Sequence, residues 1–246
     1  MRLQQEVMHD SQTLATIHNE KLFAPQKAFE KSINRPFRYV GAEDVIHSIN
    51  KCRVLLFGDF HTFKQSQRGF LRIIKSFVSR SGARRVALAL ECIQSKHQKA
   101  VDQFLSGRLD EAALFGAIQF DRTWGFEWPN FLALLSFARE RRLPVIGINT
   151  ESSLQDNLET RDRHMAGVLS TFLKENDKFR ILCLVGEYHL AATALPAALQ
   201  NFTSILSRDI TTVFCNLDIV FHSCPEILSS ATTAYVRFDE RNFCVV

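Results

Sequence analysis

Four short apolar runs constrain this chain most: RVLLFG (53–58), VALALE (86–91), PVIGIN (144–149) and ILCLVG (181–186). Each is too short for a buried helix and is bounded by charged or turn residues, which marks a strand covered on both faces. Between them lie segments with apolar residues at helical spacing, at 67–82, 95–106, 110–118, 128–142 and 161–176. A short helix at 42–50 precedes the first run. Strands alternating with helices require crossover connections, and those produce a parallel sheet. The expected class is therefore α/β, a largely parallel central sheet flanked by helices. After a helix near 190–200 the tail changes character. TTVFCNLDIVF (211–221) and AYVRFDERNFCVV (234–246) read as a C-terminal strand pair. Residues 1–35 are polar and mixed and read as an N-terminal extension, with 36–246 as a single domain and no Gly/Ser/Pro linker dividing it.

Composition excludes several classes. Hydrophobic residues make up 46% of the chain, enough for a full core, and the 21 phenylalanines read as core rather than as a binding surface. The net charge of +4 is mild. The basic clusters SGARR (81–85) and RERR (139–142) sit where helices end, so cations there complement the helix dipole. No basic stripe with interleaved aromatics appears, so no nucleic-acid partner is expected. The six cysteines form no C-x-x-C pair and read as buried free thiols. No apolar stretch reaches the roughly 18 residues of a membrane span. The opening residues MRLQQEVMHDSQ lack a signal-peptide pattern and a lipid-attachment cysteine, which gives the expectation of a cytoplasmic, soluble protein.

The chemistry collects at the strand ends. The first strand runs out into Gly58, Asp59 and His61 (VLLFGDFH); about 130 residues later LCLVGEYH repeats the pattern at Gly186, Glu187 and His189. The second strand ends at Glu91 and the third at Asn149, Thr150 and Glu151. Parallel α/β sheets bind ligands beyond these carboxyl ends. Two imidazoles and a carboxylate form a common shell for a catalytic divalent metal with a position open to water. Without metal, His61 or His189 becomes a general base oriented by Glu91 or Asp59. Glycine at 58 and 186 permits a sharp turn and close approach to a ligand. Asp59 and Glu187 serve either the site or the following helix N-termini. Arg161 either binds an anion or pairs with Asp162 or Glu159, and the loop FDRTWGFEW (120–128) is either a pocket wall or packed structure. His97, His164 and His222 have no strand-end placement and read as structural. Alternation turns Cys92 to the face opposite Glu91, against a nucleophile role. Ser152 and Ser153 lack the G-x-S-x-G elbow of serine hydrolases.

LLFGDFH, the segment from ALALECIQSKHQ to LPVIGINT, TRDRHMAGVL and CLVGEYH together resemble the ChaN-like haem-binding uptake family of the Tiki/TraB/erythromycin-esterase superfamily, over roughly residues 40–200. The superfamily pattern of two G-x-x-H motifs with an intervening glutamate falls on Gly58 and His61, Glu91, and Gly186 and His189. The ChaN-like pattern adds Gln98, Trp124, Asn149, and the R-D-x-x-M motif at Arg161, Asp162 and Met165. The resemblance implies haem or iron handling, with a homodimer as a candidate assembly holding haem. It assigns His61, Glu91 and His189 as catalytic or metal-binding residues, and Gly58, Trp124, Asn149, Arg161 and Gly186 as cofactor-binding ones. Haem is the expected cofactor. Metal-dependent proteases and histidine-base hydrolases among the relatives give the alternative, with Mn, Co or Zn as the metal. The chain departs from the family in lacking a lipobox, in reading GDFHTF where GE-x-H is common, and in the acid of GEYH. Tyr188, Tyr235 and the histidines are the candidate axial ligands.

Overall fold

The computed structural model describes residues 20–81, 85–151, 157–223 and 233–246. Most of the expected extension (1–19), residues 82–84 of SGARR, Ser152, Ser153, Cys224 and the His222 side chain lie outside that description.

The strands are β1 (Arg38–Val40), β2 (Val54–Asp59), β3 (Val86–Gln94), β4 (Val145–Asn149), β5 (Arg180–Gly186), β6 (Ile210–Cys215), β7 (Tyr235–Arg237) and β8 (Asn242–Val245). They form one sheet in the order β1-β7-β8-β6-β2-β5-β3-β4. Among the described residues all pairings from β8 to β4 are parallel, and β1–β7 and β7–β8 are antiparallel. The expected α/β class holds, with β2 and β5, the strands that end in the twin motifs, side by side.

The continuous apolar runs are explained by burial on both faces. Along β2, Leu55 and Phe57 join one core with helices Ala42–Lys51, Lys64–Ser81, Gln98–Leu105 and Trp128–Arg141. Val54 and Leu56 join a second core with helices Glu20–Ile33, Leu158–Glu175 and Leu195–Phe202. Caps set two helix starts: Asp110 accepts from Ala113 N–H at 2.8 Å, and Asn157 from Thr160 N–H at 2.8 Å. Pro129 stands in the first turn of helix 128–141, where its missing N–H costs nothing.

The expected C-terminal strand pair is present as β7 and β8, but it is not drawn from the two expected segments. Residues 211–221 are not one strand: β6 stops at Cys215, Asn216 turns through φ +53°, and Asp218–Ser223 is helical. β6 also pairs with β2 inside the parallel sheet. The antiparallel pair lies wholly within 234–246, which breaks into β7 and β8 because Asp239 accepts from the N–H groups of Arg241 (2.8 Å) and Asn242 (3.0 Å) and bends the chain. Helix 20–33 had no clear signal in the sequence. Its Phe29 is buried, edge-on to Tyr188 (5.6 Å) and Phe214 (5.7 Å). Among the described residues no helix is long and apolar enough to cross a membrane.

Candidate functional site

β2 and β5 stay in register to their last residues, Asp59 opposite Gly186, so both motif ends emerge together. β3 runs past its expected end to Gln94, and Glu91 lies three residues inside it. The pairing of β3 with β5 stops at Leu90, and that with β4 shifts between Leu90 and Gln94. As the strands part, the Glu91 carboxylate takes over from the ladder: its Oε2 accepts the Gly186 N–H at 2.5 Å.

Glu91 is 2% exposed and surrounded by cations. Its Oε1 accepts from the Arg161 guanidinium and lies 3.3 Å from His189 Nε2. His189, in the turn Glu187–Leu190 after β5, places its other ring nitrogen, Nδ1, 2.6 Å from Asp162 Oδ1. Both nitrogens of His189 therefore face carboxylates, and both need a proton to bond them. Burial alone would lower the His189 pKa, but Glu91 and Asp162 together raise it to about 9. Against its own burial, Glu91 is held well below the usual carboxylate range by His189 and Arg161. Burial raises Asp162, against its bond to His189.

His61 stands differently. Its Nδ1 lies 2.9 Å from Asp59 Oδ2, and Asp59 Oδ1 accepts from Gln67 Nε2 in the first turns of helix 64–81. Burial raises the Asp59 pKa, against the bonds from His61 and Gln67. The His61 ring packs against Trp124 (centroids 4.4 Å) and Phe126 (5.1 Å), so the 120–128 loop is a wall of the site. Its side chain remains 25% exposed where that of His189 is 3%. Gly186 allows this approach: a Cβ there would lie 3.2 Å from His61 Nε2 and 3.4 Å from Glu91 Oε2. Beside the pair, Glu187 is raised to about 7 by burial and by Asp218.

The structure thus gathers His61, Glu91, His189, Arg161, Gly186 and Trp124 at the carboxyl edge. Arg161 pairs with Glu91 rather than with Asp162 or Glu159. Other expected residues have packing roles. Gly58 lies within β2, where a Cβ would come 2.9 Å from Leu190 Cδ1. Asn149 Oδ1 accepts the N–H of its own neighbour Thr150 at 3.0 Å, on the edge strand β4. The Gln98 amide clamps β4, donating to Val145 O at 2.7 Å and accepting from Gly147 N–H at 2.9 Å. Met165 is fully buried, and His164 Nε2 lies 3.0 Å from Ser95 Oγ. Cys92 is buried and its thiol pKa is pushed well up by burial, consistent with an inert thiol. The sequence missed Gln67, which stands eight positions beyond Asp59 with no motif to single it out. It placed Asp162 only as a motif residue, not as the partner of His189.

The expected metal shell of His61, Glu91 and His189 does not fit this arrangement. Among the described residues no group of three or more His, Cys, Asp or Glu side chains is placed to hold a metal ion. The reason is local: a ligating imidazole presents a lone pair, whereas both His189 nitrogens face carboxylates and Arg161 already covers Glu91.

Residues 45–160 match the family model described as haem-binding uptake, Tiki superfamily, ChaN. No curated protein matches the chain. Among solved structures, ChaN of Campylobacter jejuni, described with cofacially bound haem, is similar at 15% identity and TM-score 0.57, covering 85% of this chain and 92% of that one. The type III effector HopBA1 is similar at 12% identity and TM-score 0.56, covering 87% of this chain and 96% of that one. An erythromycin esterase mutant in its open conformation follows at 12% identity and TM-score 0.55, covering 73% of this chain and 76% of that one. At such identities the likeness is one of fold. The ChaN-like resemblance itself stands, carried by the matched segment that holds His61, Glu91, Trp124 and Asn149.

Proposed function

From a chain whose residues 45–160 match the ChaN haem-binding uptake model, we propose a haem-binding protein. The observation that carries this reading, beside the family match, is a groove of about 740 Å³ between helices 20–33, 158–175 and 195–202. That volume lies within the range of cofactor sites, roughly 300–1,000 Å³. Small apolar residues (Ala28, Ala194, Ala198) line part of its wall, with Tyr188, Arg163 and the acids Glu159 and Asp162 among its polar groups. Tyr188 would offer a phenol oxygen to the iron, and Arg163 a cation to a propionate. Burial and the nearby Glu187 and Glu30 raise the Tyr188 pKa, so the free phenol stays neutral and only a bound cation would draw off its proton. Bound haem would supply the redox and iron chemistry, and the chain its containment. Haemin titration tests the reading: a saturable Soret shift that Tyr188→Phe weakens supports it, and the absence of any saturable shift removes it.

The histidine site favours a second reading, metal-independent hydrolysis with His61 as general base. Its Nδ1 is engaged by Asp59, so the neutral ring carries its lone pair on Nε2, beside Gly186 and Glu91. His189, protonated between two carboxylates, orders Glu91 and accepts no proton. Arg161 adds positive charge for a developing oxyanion. Turnover of an ester or amide panel in excess chelator, lost in His61→Ala, supports this role. Activity that vanishes with chelator overturns it in favour of a metal.

A further inference from the structure

Gln67 is 1% exposed, and its two amide atoms fare differently. Nε2 donates to Asp59 Oδ1, whereas Oε1 is buried without a hydrogen-bond partner among the described residues. A buried acceptor left unsatisfied is destabilising relative to a satisfied one. An amide kept there at that cost is held for its donor. The acceptor of that donor, Asp59, is itself 3% exposed and presents its second oxygen to His61 Nδ1 at 2.9 Å. The three groups form a line from the first turns of helix 64–81 through the end of β2 to the partly exposed imidazole.

We propose that Gln67 is a positioning residue that acts through Asp59: by holding Oδ1 it aims Oδ2 at His61 Nδ1, and so fixes the neutral imidazole with its proton on Nδ1 and its lone pair on Nε2. Without that donor the Asp59 carboxyl group is free to rotate about its last torsion, and the Nδ1 proton loses its fixed acceptor. His61 would then divide between its two neutral forms, and only one of them is a base at the Nε2 position beside Gly186. The role deepens the acid–base reading of His61 and rests on it for its function. Its readout needs no substrate, however, so a failure to find turnover leaves the inference separately testable.

The test is long-range ¹H–¹⁵N correlation on protein labelled with ¹⁵N-histidine, at a pH where His61 is neutral, with its signals assigned by their loss in His61→Gln. The wild-type protein should show one His61 form, protonated at Nδ1. Gln67→Met keeps the length and apolar stem but has no donor, and should give comparable populations of both forms in a protein whose circular dichroism is unchanged. Asp59→Asn should redistribute the forms at least as far. If Gln67→Met does not fold, Gln67→Asn, whose amide is one methylene too short to reach, serves in its place. Where a substrate has been found, kcat should fall about tenfold with KM unchanged. A single Nδ1-protonated form in the folded Gln67 variant would overturn the proposal, as would a wild-type ring protonated at Nε2.

Discussion

A buried imidazolium between two carboxylates leaves a thermodynamic signature. His189 titrates at about 9 in the folded chain against 6.5 for the free side chain. At about 1.4 kcal/mol per pH decade, that difference corresponds to about 3–4 kcal/mol of stability. A raised folded pKa means the contribution is complete below pH 6.5 and is lost as pH rises from 6.5 through 9. Neutral His189 leaves Glu91 with Arg161 and the Gly186 N–H, and Asp162 without its charged partner. Other groups titrate in the same window, so the measurement is a difference. Denaturant midpoints converted to free energies would be compared at pH 6 and pH 9.5 for wild type and for His189→Asn, a neutral residue that cannot titrate there. Wild type should lose about 3 kcal/mol more than the variant across that interval. Glu91→Gln, which keeps the shape and the oxygen facing the Gly186 N–H, should cost about 3 kcal/mol at pH 6 because it leaves the buried His189 cation and the partly exposed Arg161 without their shared anion. It should also flatten the pH dependence. Equal slopes in wild type and His189→Asn would refute the argument, because His189 would then be neutral when folded.

Three further outcomes follow from the same geometry. Glu187, raised to about 7 by burial and Asp218, makes the fold less stable as pH rises from 4.5 through 7. Glu187→Gln should therefore gain stability relative to wild type at pH 8 but not at pH 4.5, read by thermal melts at both values. Gly147→Ala would place a Cβ 2.8 Å from Ile93 Cγ2 and 3.0 Å from Gln94 O, so it should cost about 1–3 kcal/mol in chemical denaturation. Gly186→Ala would push its Cβ against the His61 ring; His61 chemical shifts should move while the melting temperature changes little, and unchanged shifts would show that Gly186 is not needed for the approach.

The alternation of four apolar runs with amphipathic segments determined the α/β class and the positions of β2 to β5, because strands buried on both faces must be apolar throughout. The twin G-x-x-H endings were legible for the same reason, as polar residues that interrupt apolar runs. The path of residues 211–246 was not: local pattern shows extended propensity, but whether a segment pairs inside the parallel sheet, as β6 does with β2, depends on contacts more than 150 positions away. Nor was the division of labour between the two histidines. His61 and His189 carry near-identical motifs, and only the tertiary structure puts Asp59 and two aromatic rings around one and two buried carboxylates around the other. Sequence placed both imidazoles at one edge of the sheet. Their surroundings were decided by residues such as Asp162 and Gln67, which packing brings in from separate helices.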